Sequence, residues 1–181
     1  MRPPRIACCA AVLAFAAAGH AEAAMGILDQ ANFGILDHDP PLGVDHKERG
    51  VDFNGEALFV SPDFLASVWA PRPHVGVNIN SFGGNSYAYA GLTWTANFTD
   101  KFFGDLGLGG AIHDGPNTTS IYTRDHKGLG TRVLFHESLE LGYRFSQTWN
   151  AGIYLDHVSN AGLGSQNPGI TNAGLRLGYM F

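Results

Sequence analysis

Residues 131–145 read TRVLFHESLELGYRF. The odd positions Val133, Phe135, Leu139, Leu141, Tyr143 and Phe145 are apolar, and Glu137 is the one charged residue among them. The even positions Arg132, His136, Ser138, Glu140 and Arg144 are polar. Alternation with period two is the pattern of a β-strand with one apolar and one polar face. The run is longer than the ~5–6 residues of an ordinary soluble strand and covers the ~9–11 residues of a tilted membrane-crossing strand.

The pattern recurs outward from this stretch. In ITNAGLRLGYMF, residues 170–181, Ala173, Leu175, Leu177, Tyr179 and Phe181 share one face, and Asn172, Gly174, Arg176 and Gly178 the other. Reading toward the start, the same rule predicts strands near 31–39, 50–60, 73–82, 86–98, 101–113, 130–145, 148–160 and 170–181. Apolar faces include Val75, Val77 and Ile79, then Leu92, Trp94 and Phe98, then Leu106, Leu108 and Ile112. The expected fold is all-β, an eight-stranded antiparallel transmembrane β-barrel. Closure satisfies the backbone polar groups in lipid and removes sheet edges. The closing Phe181 resembles the terminal signature of outer-membrane barrels. Tyr87, Tyr89, Trp94, Trp149 and Tyr179 are expected as interfacial girdles. A periplasmic C-terminus puts loops 40–49, 83–85, 114–129 and 161–169 outside. The segment 61–72 is long for a periplasmic turn and receives no assignment.

Composition supports this reading. Only 15% of the 181 residues are charged, against ~25% in ordinary soluble domains, and 24 are glycine. The first 23 residues, MRPPRIACCAAVLAFAAAGHAEA, have a basic start, an apolar middle and an Ala21-Glu22-Ala23 cleavage site. That is the form of a secretory signal peptide, which makes 24–181 one barrel domain destined for the outer membrane. Cys8 and Cys9 leave with the signal, so no disulfide framework or thiol nucleophile is expected. No later run reaches the ~18 apolar residues of a membrane helix. The net charge of −5 offers no basic footprint for nucleic acid. His38, His46 and His113 lack metal-ligand spacing and are expected in loops or at the rim, with no metal and no cofactor.

The stretch with chemical content is LDHVSNAGL, residues 155–163. Trp149, Ala151, Ile153 and Leu155 face lipid, and the same alternation places His157 and Ser159 outward. Residues i and i+2 share a strand face ~6.6–6.8 Å apart. A base beside a hydroxyl is the minimum of nucleophilic catalysis. Taken alone, the pair reads more readily as two polar residues at the top of a strand.

The run HVSNAGLGSQNPGI, 157–170, followed by GLRLGYMF, 174–181, resembles the C-terminal signature of the PagL-type lipid A 3-O-deacylase family; LELGYRF, 139–145, fits as well. The specific match covers about the last 50 residues. The resemblance implies an eight-stranded outer-membrane barrel that hydrolyses one ester-linked acyl chain of lipid A. It implies a site on the lipid-facing wall, working without metal on lipopolysaccharide of the outer leaflet. It makes His157 the general base, Ser159 the nucleophile, and Asn160 and Asn167 the oxyanion donors. The family's histidine-orienting carboxylate falls at Thr171, where threonine cannot hold an imidazolium electrostatically. Either the site is a dyad with Thr171 as orienter, or another carboxylate serves. A turn near 146–148 that pairs Phe145 with Trp149 puts Glu137 directly across from His157. A lipid-facing carboxylate is costly unless paired, which favours Glu137 as third member. Asp156 and Glu140 point into the lumen.

Two other readings stand beside the deacylase. One is a non-catalytic barrel of structural or adhesive role, supported by Thr171 and by exterior loops such as 115–130. The other is a soluble ligand-holding barrel, opposed by Arg132, His136, Glu140, Arg144 and Arg176 on inward faces. Which acyl chain is removed, and whether the chain forms a homodimer, are open at this level.

Overall fold

The computed structural model describes residues 26–41, 48–118 and 126–181. The expected signal peptide, 1–23, and His46 lie outside them. Eight strands follow one another: β1 (Leu28–His38), β2 (Val51–Phe59), β3 (Arg72–Asn80), β4 (Tyr87–Asn97), β5 (Phe102–His113), β6 (Val133–Arg144), β7 (Trp149–Ser159) and β8 (Ile170–Met180). Neighbours pair antiparallel, and β8 closes on β1 to complete a barrel. The eight-stranded antiparallel architecture is the one the alternation predicts. β1 starts at Leu28, earlier than expected, because Gln30 and Asn32 already turn inward. β6 starts only at Val133. Arg132 has left the ladder there and donates over the rim to the carbonyls of His113 (2.7 Å) and Gly115 (3.2 Å).

Phase is set by which face must meet lipid. Phe33, Ile35, Leu141, Ile153 and Leu175 stand exposed on the outer wall. The lumen is filled by polar side chains. Arg176 bridges Glu56 and Glu140 and lies over the Tyr154 ring at 3.9 Å. His136 stacks on Tyr89 at 4.1 Å. Asp156 accepts from Tyr87 (2.8 Å) and Asn78 (2.7 Å).

Tyr87 and Tyr89 correct the girdle expectation. Both are buried in the lumen, because in Tyr-Ala-Tyr-Ala both faces read as apolar and the phenols find inward hydrogen bonds that lipid cannot supply. The expected Trp149 and Tyr179 do stand in a girdle at the short-turn end, against each other at 4.9 Å and with Tyr179 against Phe181 (5.1 Å), and Phe102 against Tyr143 (5.0 Å) joins them. The unassigned segment after β2 holds a 3-10 helix, Asp63–Val68, capped by Trp69 in the left-handed region. The indole of Trp94 donates to the Val68 carbonyl at 2.9 Å and pins the segment to the barrel.

The long connection after β2 lies at one end, and those after β1, β5 and β7 open together at the other, which in outer-membrane barrels is the exterior one. There a polar plug fills the mouth. His38 and His113, expected in loops or at the rim, end β1 and β5 and are buried in it. His38 bridges Asp52 (2.8 Å) and Glu48 (2.9 Å). Glu48 accepts from the backbone of Asn85 and of Lys127, both at 2.6 Å. Burial raises the pKa of this carboxyl, but the bonds from His38, Asn85 and Lys127 outweigh it and hold Glu48 below the usual carboxylate range.

Candidate functional site

His157 and Ser159 are the last outward-facing residues of β7, at the long-loop end. Both are half-buried on the outer wall. Pairing across β6, β7 and β8 sets Glu137 opposite His157 and His157 opposite Thr171. The three side chains therefore form one polar row across a wall that is otherwise apolar. The register follows from the tight β6–β7 connection, where Phe145 and Ser146 donate to the Trp149 carbonyl.

Within the row, Thr171 makes the contact. His157 Nδ1 and Thr171 Oγ1 are 2.8 Å apart. If Nδ1 carries the hydrogen, Thr171 accepts it and Nε2 presents a lone pair. Glu137 is exposed on the other flank and, among the described residues, forms no ion pair with His157. Directly opposed side chains have Cβ atoms ~4.5–5.5 Å apart, so Glu137 borders the ring across the ladder, with no hydrogen bond between the two among the described residues. Ser159, opposite Phe135, makes no hydrogen bond with His157 among the described contacts. Such bonds are often long in unliganded enzymes and tighten with substrate.

The loop after β7 is built around Asn160, which is buried. Its Nδ2 donates to the carbonyls of Leu129 (2.7 Å) and Gln166 (2.5 Å), and its Oδ1 accepts from Gly162 N–H (2.8 Å). Its own N–H donates to Asn167 Oδ1 at 2.9 Å. Asn160 thus has no donor left for a substrate in this arrangement. Asn167 is exposed, with its carbonyl oxygen held by Asn160 and its amide nitrogen directed away from that bond.

Gly169, which sequence reasoning passed over, closes the site along the ring's Cε1–Nε2 edge. Its φ is +62°, and a Cβ there would lie 2.7 Å from His157 Cε1 and 3.1 Å from Nε2. Only glycine fits, on both backbone and steric grounds. Its place just before β8, in Asn167-Pro168-Gly169, is the one local hint. A shallow apolar hollow of about 680 Å³, lined in part by Phe102, Leu141, Tyr143, Ala151 and Ile153, lies farther toward the short-turn end and does not contain the row. Among the described residues no cluster of His, Cys, Asp and Glu is arranged to hold a metal.

Residues 58–180 match the family model of lipid A 3-O-deacylase (PagL). The chain belongs to that family. Membership places it among the ester hydrolases of the outer membrane. The crystal structure of the outer membrane enzyme PagL superposes with a TM-score of 0.61 at 16% identity, covering 84% of this chain and 99% of that one. That likeness shows the shared barrel fold. A chain from the de novo design of transmembrane β-barrels gives a TM-score of 0.49 at 10% identity, covering 84% of this chain and 96% of its own. Ail of Yersinia pestis, crystallised with a heparin analogue, gives 0.40 at 11% identity over 87% of this chain and all of its own. No curated protein sequence matches the chain.

Proposed function

We propose that the protein removes an ester-linked acyl chain from lipid A by a serine–histidine mechanism on the lipid-facing wall of β6, β7 and β8. The observation that carries this reading is the polar row itself: Glu137, His157 and Thr171 in register on the apolar exterior, with Ser159 on the same face of β7. Two ionisable side chains exposed to lipid are costly without a purpose. Their height, near the exterior end of the strands, is where the ester bonds of outer-leaflet lipid A meet its sugars.

In this reading Ser159 Oγ attacks the ester carbonyl carbon while its proton passes to His157 Nε2. The tetrahedral oxyanion is held by the Asn167 side-chain amide, donating where charge develops. Asn160 serves by fixing Asn167 through its N–H. Collapse breaks the bond to the sugar oxygen, which takes the proton from His157 and leaves an acyl-serine. Water, deprotonated by His157, then frees the fatty acid and restores Ser159. Thr171 holds Nδ1, so the ring keeps one tautomer. Glu137, opposite, stabilises the imidazolium through space and supplies the carboxylate that position 171 lacks.

Mass spectrometry of lipid A from cells making the wild type or Ser159→Ala, both folded in the outer membrane, tests the proposal. Loss of one hydroxyacyl mass with the wild type only is expected. Identical spectra would overturn it and leave a structural or adhesive barrel.

A further inference from the structure

Lys127 is fully buried in the mouth of the barrel, unusual for a residue that seldom leaves water without a partner. It touches connections that are distant in sequence. Its N–H donates to Glu48 Oε1 at 2.6 Å, and its carbonyl accepts from Asn85 Nδ2 at 3.0 Å. Its Nζ pairs with Asp39 Oδ1 at 2.7 Å and donates to the Gly169 carbonyl at 3.0 Å. The last bond reaches the site, because the other side of Gly169 rests against His157. The Gly169 carbonyl points inward to Lys127, and its Cα lies outward against the Cε1–Nε2 edge of the imidazole.

The ring is therefore held at two places, by Thr171 at Nδ1 and by the Gly169 backbone along the Cε1–Nε2 edge. A threonine hydroxyl aligns an imidazole more weakly than a buried carboxylate does. The backbone stop carries more of the alignment here, and a left-handed glycine holds its place only if something fixes its peptide.

We infer that Lys127 is a positioning residue for the hydrolysis: by holding the Gly169 carbonyl, it sets the backbone stop that keeps the His157 ring aligned. The inference rests on His157 and Ser159 being the reacting pair. It concerns a residue that never meets substrate, so its loss changes turnover rather than binding. Small misplacements of a catalytic group cost up to about 100-fold in rate.

The test uses the mature protein in detergent micelles with lipid A, following fatty-acid release. Lys127→Met is made together with Asp39→Asn, so that no buried charge is left alone, and retained heat-modifiable migration shows the folded barrel. The expected result is a kcat about 10- to 100-fold lower with KM within about twofold. Lys127→Gln in the same Asp39→Asn background offers Gly169 an amide donor on a side chain one bond shorter and is expected to recover part of kcat. A contribution to plug stability alone would not separate Met from Gln. Unchanged kcat in the Met variant, equal losses in both, or a change confined to KM overturns the inference. If the Met variant does not fold, Gly169→Ala decides: its methyl displaces the ring, so kcat falls with KM retained, and an unchanged kcat overturns the inference. Ser159-dependent release by the wild type separates the two levels. Without it the reading of the site fails and takes the inference with it; with it, only the behaviour of Lys127 is at stake.

Discussion

The lumen and the outer wall handle ionisable groups in opposite ways. Inside, Arg176 is shared between Glu56 and Glu140, His136 lies beside Asp156, and Asp156 is held by Tyr87 and Asn78. These groups fill a space too narrow for bulk water and hold the strands in register. Outside, Glu137 and His157 face each other across two strands without an ion pair, in surroundings where leucine would be the stable choice. Paired interior charge is what a small barrel needs to stand. Exposed exterior charge costs stability, and at Glu137 and His157 the proposed hydrolysis is what would account for it.

Substitutions can break this contrast. The largest effect is expected at the outer row: His157→Ala should lower deacylation of lipid A at least about 1,000-fold, the scale of losing a catalytic member. The urea unfolding midpoint in detergent should stay where it is. Arg176→Met should do the reverse. It leaves Glu56 and Glu140 buried without their cation, costing about 3–5 kcal/mol, read as a lower unfolding midpoint, while activity per folded molecule is kept. Glu137→Gln should reduce kcat by less than the about 100- to 10,000-fold that a general base itself supplies, with no loss of stability. Full activity in this variant, alongside an inactive His157→Ala, would leave the site as a His157–Ser159 dyad. The smallest effect is at the plug. Because the native bonds hold Glu48 below its ordinary pKa, its contribution to stability is present above that ordinary value and is lost as pH falls through the lowered one. Glu48→Gln should flatten that acid limb of the unfolding-midpoint profile.

The difference between the regions also governs what could be read from sequence. The outer wall was legible because lipid imposes apolar residues at every second position, and a break in that rhythm, such as Glu137, is visible at once. The tight turn between β6 and β7 then yielded the facing of Glu137 and His157 by simple counting. In β4 the rhythm of Leu92 and Trp94 gives the right phase, but Tyr87 and Tyr89, on the opposite parity, are expected outward only for being aromatic; alanine at 88 and 90 is too weak a mark of the outer face to correct it. The plug was not legible. Lys127 acquires its role from Asp39, Glu48, Asn85 and Gly169, which lie on separate connections and obey no shared periodicity. The resemblance offered Asn160 as an oxyanion donor, but its commitment to the Leu129 and Gln166 carbonyls depends on how the two loops meet.

A reactive exterior row would make Ser159 open to covalent labelling. The folded protein in micelles is treated with a long-chain alkyl fluorophosphonate, and the modified peptide is found by mass spectrometry. One phosphonylated residue, Ser159, is expected in the wild type, and its loss in His157→Ala. An unlabelled Ser159, or labelling equal with and without His157, would contradict it.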